Sequence, residues 1–237
     1  MKILVIADIH ANWPALQAIA EPFDACIFLG DLVDYATDPV PCIEWVRAHA
    51  DAGVRGNHDH AVAQRVAARG GTGFRELAAA TRPLQWKMMQ PSHFKFLARL
   101  PLTQTVQIGA NRLLLVHATP RDPMDEYLMN DPGGWQSRLG NVDADFVCVG
   151  HSHVQFHLQL DGIQVLNPGS VGQPRDGDAR CAYAVIEDGR VSLRRVEYDI
   201  GATLRQMQAA GVEPRILELT ESVLRTGGKL PLPVPPA

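Results

Sequence analysis

The chain opens Met1-Lys2-Ile3-Leu4-Val5-Ile6-Ala7-Asp8-Ile9-His10, an unbroken apolar run from Ile3 to Ala7 that stops at an aspartate and a histidine. The same figure recurs. Ala25–Leu29 runs into Gly30-Asp31-Leu32-Val33-Asp34, Leu113–Val116 stops at His117, and Phe146–Val149 stops at Gly150-His151-Ser152-His153. A further cluster, Gly56-Asn57-His58-Asp59, follows Val54-Arg55. Continuous apolar runs of this length read as strands covered on both faces. Helical patterns lie between the early ones. Asn12 can cap a helix with Pro14 in its first turn and Leu16, Ile19 and Ala20 on the buried side, and Pro41–Ala50 reads as a second helix. Strand and helix alternate, which is the signature of an α/β domain.

The rhythm changes in the second half. Asp161-Gly162 and Asp188-Gly189 each separate two β-like runs, the chemistry of tight hairpins, so strands such as Ile163–Leu166 and Tyr183–Ile186 have antiparallel neighbours. A mixed sheet, or two packed sheets flanked by helices, fits this pattern. Residues 61–100 are helix-rich, broken at Gly70-Gly71-Thr72-Gly73, and interrupt the strand series like an inserted helical cap. Helices are expected again at Thr203–Ala210, stopped by Gly211, and at Arg215–Arg225, stopped by Gly227-Gly228. Within the C-terminal stretch 201–237 the proline-rich end, 231–237, is expected to be loosely held.

With 237 residues, 46% of them hydrophobic, the chain can bury one sizeable core, so a single domain over 1–237 is expected and general disorder is excluded. A net charge of −4 gives no global positive field toward nucleic acid or anionic lipid, and no basic stripe interleaved with aromatics marks a long nucleic-acid partner. Cys26, Cys42, Cys148 and Cys181 form no C-x-x-C pair and read as core thiols. The first apolar run is too short for a secretory or membrane-spanning segment, so a cytoplasmic protein without membrane contact is expected. The oligomeric state is not legible.

In open α/β sheets the functional crevice lies beyond the carboxyl ends of the strands, so the polar clusters can converge. Asp8-x-His10 and His151-x-His153 place side chains at i and i+2, which project the same way from extended backbone. The candidate metal ligands are Asp8, His10, Asp31, Asn57, His117, His151 and His153. Seven oxygen and nitrogen donors exceed one four-coordinate ion and suit two ions sharing a carboxylate. Rival readings are a helix cap for Asp8 and an ordinary polar loop for Asp31 and Asp34. His49, His60, His93 and His157 read as ordinary structural histidines.

Asp8-x-His10, Gly30-Asp31-x-x-Asp34, Gly56-Asn57-His58-Asp59, His117 and Gly150-His151-x-His153, in that order over residues 1–196, resemble the calcineurin-like metallophosphoesterases. Asn167-Pro168-Gly169-Ser170-Val171-Gly172-Gln173-Pro174-Arg175 further resembles their small bacterial branch. The resemblance implies two facing mixed β-sheets flanked by helices, an αββα sandwich. It implies one metal held by Asp8, His10, Asp31 and His153 and a second held by Asp31, Asn57, His117 and His151. His58 matches the histidine that contacts the reacting phosphate, and Asp34 the carboxylate that orients it. A water shared by two such ions attacks phosphorus. Donors without thiolate suit Mn, Fe, Zn or Co better than Mg.

The chain departs from the protein phosphatases of this superfamily, which carry Arg after Gly-Asp-x-x-Asp and Glu at the place of Asp59. Here Tyr35-Ala36 follow. The expected activity is therefore hydrolysis of a phosphodiester or nucleotide phosphoanhydride, with a small phosphate ester or nucleotide as partner. A phosphomonoesterase or protein phosphatase is the alternative. A non-catalytic interaction module, as in the retromer subunit that resembles this fold, is the rival from another class. Arg121 and Arg175 are candidates to bind substrate anion; the rival for each is a salt bridge to the aspartate that follows it.

Overall fold

Ile3, Val5 and Ala7 pack into one buried cluster and Leu4 and Ile6 into another, which is why the first strand shows no polar alternation. The computed structural model describes residues 1–230, so the proline-rich stretch 231–237 lies outside the described residues. The strands among them are, in chain order, β1 (Lys2–Ile6), β2 (Ala25–Phe28), β3 (Ala52–Gly53), β4 (Thr103–Ile108), β5 (Asn111–Val116), β6 (Phe146–Cys148), β7 (Gln155–Leu160), β8 (Ile163–Pro168), β9 (Cys181–Glu187) and β10 (Arg190–Val196). They form two sheets, β10-β9-β1-β2-β3 and β4-β5-β6-β8-β7. Both are mixed. β1, β2 and β3 run parallel while β9 and β10 are antiparallel neighbours. β5, β6 and β8 run parallel between antiparallel edges β4 and β7.

Ile3, Val5, Ile27 and Leu29 meet Leu113, Leu115, Phe146 and Leu166 between the sheets. Each such fully buried side chain is worth about 1.5–3 kcal/mol relative to exposure. The opposite face of the first sheet is covered by α1 (Trp13–Gln17), α2 (Pro39–His49), α3 (Asn57–Ala63), α4 (Phe74–Met88) and α5 (Pro91–Arg99), with Leu4, Ile6 and Phe28 packed on Leu16, Ile43, Val46 and Leu97. The opposite face of the second sheet carries α6 (Pro132–Leu139), whose Trp135 and Leu139 meet Val147 and Val165. α7 (Ile200–Ala209) and α8 (Pro214–Thr226) pair and close one end, α7 against α1 and α8 against α4. The result is the four-layer αββα sandwich. No helix among the described residues is long and apolar enough to cross a membrane.

Local chemistry accounts for the joints. Asp161 and Gly162 (φ 46° and 88°) and Asp188 and Gly189 (φ 50° and 76°) both take left-handed backbone, as tight hairpins between twisted strands demand. Asn12 caps α1 through its side-chain oxygen, which accepts the Ala15 N–H at 3.3 Å, but the helix lasts only one turn and a half. α8 stops at Gly227 in the left-handed region (φ 64°). The four cysteines are buried and free, and burial pushes the Cys26 thiol up to about 12. Segment 61–100 is helical, as expected, with α4 and α5 filling most of it.

Candidate metal centre

Each strand stops short of the polar cluster that follows it: β1 at Ile6, β2 at Phe28, β5 at Val116, β6 at Cys148. The chain then enters left-handed backbone at Asp8 (φ 53°), His10 (50°), Asp31 (58°), Asp34 (69°), Tyr35 (64°), His151 (63°) and His153 (59°). Non-glycine residues adopt this region rarely, and such strain persists where surrounding packing over-determines it. The bends are held by hydrogen bonds between the two loops: the Asp8, His10 and Ala11 N–H groups donate to the Gly30, Asp31 and Leu32 carbonyls at 2.9, 3.1 and 2.8 Å. This corrects the spacing argument. Asp8 and His10 reach one donor group through left-handed bends beyond the strand, and not through i, i+2 projection along it, while His151 and His153, bent likewise, go to different groups.

The bends bring two donor groups together. Donor atoms of Asp8, His10, Asp31 and His153 lie within 4.8 Å of one another, and so do those of Asp31, His117 and His151. Asp31 belongs to both. Its Oδ2 is 3.3 Å from His117 Nε2 and 3.9 Å from His10 Nε2, while its Oδ1 accepts the His58 N–H at 2.9 Å. Asn57 joins the second group, with Oδ1 3.2 Å from His117 Nε2.

The far nitrogen of every one of these imidazoles lies against a backbone carbonyl. His10 Nδ1 faces Val33 O at 2.8 Å, His117 Nδ1 faces Leu29 O at 2.8 Å, and His153 Nδ1 faces Gln173 O at 2.6 Å. His151 is reversed, with Nε2 3.3 Å from Asp125 O and Nδ1 toward His117. A carbonyl accepts only from N–H, so in the neutral ring each contact fixes the tautomer whose inward nitrogen carries the lone pair.

The electrostatics fit a cation. Asp8 Oδ1 is buried with no hydrogen-bond partner. Burial and the nearby Asp31 charge push the Asp8 carboxyl up to about 8, while burial pushes His10 and His151 down to about 3. Burial also opposes charge on Asp31 and His117, but their mutual attraction and hydrogen bond hold Asp31 low and His117 up at about 10. Buried carboxylates and lone pairs this close are stable only when paired or bound to metal. Imidazole, carboxylate and amide donors complete the fit.

Two glycines allow the approach. A Cβ on Gly56 would meet Asp31 Oδ1 at 2.0 Å, so the need there is clearance. Gly30 (φ 94°) needs both its positive φ and clearance, since a Cβ would meet His117 Nδ1 at 2.7 Å.

His58 stands beside this centre without joining either group. Its Nδ1 is 2.6 Å from Asp34 Oδ2, and its Nε2 faces Tyr35 Oη at 3.2 Å and Asp31 Oδ2 at 4.0 Å. Burial disfavours its charge, yet the Asp31 charge and the Asp34 hydrogen bond raise its pKa above the ordinary value. Asp34 is also gripped by Arg82, whose Nε lies 3.1 Å from both carboxylate oxygens and whose Nη2 also donates to Oδ2. Arg82 was not singled out from the sequence. It lies on α4, within the helix-rich segment 61–100, so that segment contributes a side chain to the site. The signal was available: Leu77, Ala78, Thr81, Arg82 and Gln85 are the buried residues of α4, and an arginine and a glutamine on that stripe need polar partners. Gln85 accepts the Asp34 N–H at 2.9 Å and donates to Ala36 O at 2.8 Å. Asp59 was noted only as a departure from the phosphatases. Its carboxylate accepts the N–H groups of Asp31, Leu32 and Gly56 at 2.8, 2.8 and 3.0 Å and so pins the loop that carries Asp31.

The arginines separate. Arg175 leans over the Phe74 ring at 3.9 Å and donates to Tyr35 Oη at 3.2 Å and Tyr127 Oη at 3.3 Å. The following Asp176 pairs with Arg195 instead. Arg121 pairs with Glu126, with its side chain 61% exposed.

Residues 1–189 match the Calcineurin-like phosphoesterase superfamily domain. The chain belongs to this superfamily. Its relatives include an uncharacterized protein of Methanocaldococcus jannaschii, 33% identical over 84% of this chain and 88% of that protein. A probable metallophosphoesterase of Mycoplasma pneumoniae is 24% identical over 81% of this chain and 93% of its own. The solved metallophosphoesterase from Sphaerobacter thermophilus superposes with a TM-score of 0.80 at 32% identity, covering 96% of this chain and 99% of that one. The phosphoesterase domain thus spans the sequence up to β9 and contains every residue of both donor groups.

Proposed function

We propose that this protein is a dinuclear metal-dependent phosphoesterase that hydrolyses phosphodiesters or nucleotide phosphoanhydrides. The observation that carries the catalytic reading is the His58–Asp34–Arg82 chain. A module that only bound partners, or only held metal, needs no half-buried imidazole outside both donor groups, oriented by a buried carboxylate that is itself held by an arginine. Asp8, His10, Asp31 and His153 would hold one cation, and Asp31, Asn57, His117 and His151 the other. When bound, the cations supply Lewis-acid neutralisation of the phosphoryl oxygens and the acidity that makes a nucleophile from water at neutral pH.

The chain's own residues do the rest. Asp34, kept ionised against burial by His58 and Arg82, accepts a hydrogen bond from the His58 Nδ1–H and fixes the ring. His58 Nε2 then faces the centre, placed to donate a proton to the leaving oxygen as the bond to phosphorus breaks. General acid help of this kind is typically worth about 10²–10⁴-fold. Backbone bends at Asp8, Asp31 and His151 hold the donors in place before substrate arrives, so little reorganisation accompanies reaction.

Tyr35 supports the substrate class. It occupies the position where the protein phosphatases carry Arg, and its hydroxyl is shared between His58 and Arg175. A diester presents one negative charge at the reacting phosphorus, whereas a monoester dianion gains more from a guanidinium fork at that point. Arg175, tethered to the Tyr35 and Tyr127 hydroxyls, would meet a distal phosphate. The test is kcat/KM with Mn supplied, for an aryl diester, the matching monoester, a dinucleoside polyphosphate and a phosphopeptide. The diester or polyphosphate is expected to lead. A clear preference for the phosphopeptide would overturn the substrate class, and no hydrolysis of any of the four would overturn the enzymatic reading.

A further inference from the structure

The second donor group depends on a loop that the first does not touch. Residues 118–131 leave the sheet at His117, and within eight residues the chain returns to lay the Asp125 carbonyl against His151 Nε2 at 3.3 Å. The Tyr127 ring follows, its centroid 4.1 Å from that of His151. One loop therefore begins at one imidazole of the second group and braces the other. The carbonyls that brace His10, His117 and His153 belong to Val33, Leu29 and Gln173, outside this loop.

What closes the loop is Glu126. Its side chain is 12% exposed and accepts from Thr119 Oγ1 at 2.5 Å, from Arg138 Nη2 on α6 at 2.8 Å, and from Arg121. Asp122 Oδ1 adds the Met124 and Asp125 N–H groups at 3.1 and 3.2 Å. An isolated surface ion pair is worth little, but a carboxylate with three donors, two from the start of the loop and one from the adjoining helix, is a network. Removing it takes away the ties to Thr119, Arg121 and Arg138 and leaves the Asp125 carbonyl held only through the Asp122 bonds, and the reversed tautomer of His151 has no other carbonyl brace among the described residues.

The geometry points to Glu126 as the positioning residue of the second metal position: by closing the loop it fixes the Asp125 carbonyl against His151, and so the nitrogen and the angle His151 offers a cation. Arg121 then serves this clamp. The inference rests on the two-position reading above, and the experiment separates them. Full-length apo-protein is titrated with Mn²⁺ by calorimetry, with bound metal counted after desalting and the melting temperature of the metal-free protein recorded. The parent protein is expected to take up two ions. E126A is expected to keep one at parental affinity and to bind the other about 10–100-fold more weakly, the usual cost of losing a partner that orients a ligand. E126Q, which keeps the acceptor oxygen, should recover part of that loss. Should E126A not fold, R138M removes one donor from the clamp and carries the same test. Equal weakening of both ions, or no weakening, overturns the role of Glu126. A parent protein that binds fewer than two ions overturns the two-position reading and this inference with it.

Discussion

Asp31→Asn is expected to lose bound metal and turnover together while the fold survives. The substitution keeps the shape of the side chain and one oxygen to accept the His58 N–H, and it leaves untouched the Asp59 hydrogen bonds that pin the loop. What it removes is the single negative charge common to both donor groups. His117, now raised to about 10 by that charge, loses its partner, and the second position loses its only carboxylate. Because Asp31 is a direct donor to both positions, the fall in kcat should exceed the roughly 10–100-fold typical of partners that only orient a ligand. Bound Mn per chain and kcat measured on the same preparation check this. A variant with two ions and full activity would show that Asp31 does not bridge.

His58→Ala should do the reverse, keeping metal and losing rate. The imidazole is surplus to both donor groups, and Asp34 remains neutralised by Arg82 after its removal, so no buried charge is stranded. The expected fall in kcat is about 10²–10⁴-fold with metal content near parental. The loss should be smaller for a substrate whose leaving group is already a good one, such as a nitrophenolate, because that oxygen needs no proton. Loss of metal with normal turnover per loaded chain would make His58 a ligand instead.

The donors were legible because apolar strands can be read by eye and each ends in the residue types that bind metal. The change between continuous runs and Asp-Gly hairpins made mixed strand directions legible, while the choice of two sheets over one came from the family resemblance. β4 was not, since Thr103–Ile108 is an edge strand of alternating exposure and its hairpin turns at Gly109 without an Asp-Gly pair. The means of convergence was hidden as well, because left-handed backbone at aspartate and histidine leaves no mark in composition. Arg82 and Glu126 act through partners far off in the chain or across a loop. Arg82 at least sits on an apolar stripe where it stands out; Glu126 lies in an irregular loop with no period to break.

Anomalous diffraction from a crystal grown with Mn²⁺, collected on both sides of the manganese edge, tests the dinuclear centre most directly. The account predicts two peaks roughly 3.5–4 Å apart, one among Asp8, His10, Asp31 and His153 and one among Asp31, Asn57, His117 and His151, with the Asp31 carboxylate between them. A single peak, or peaks that leave Asp31 outside the coordination of either ion, would contradict it.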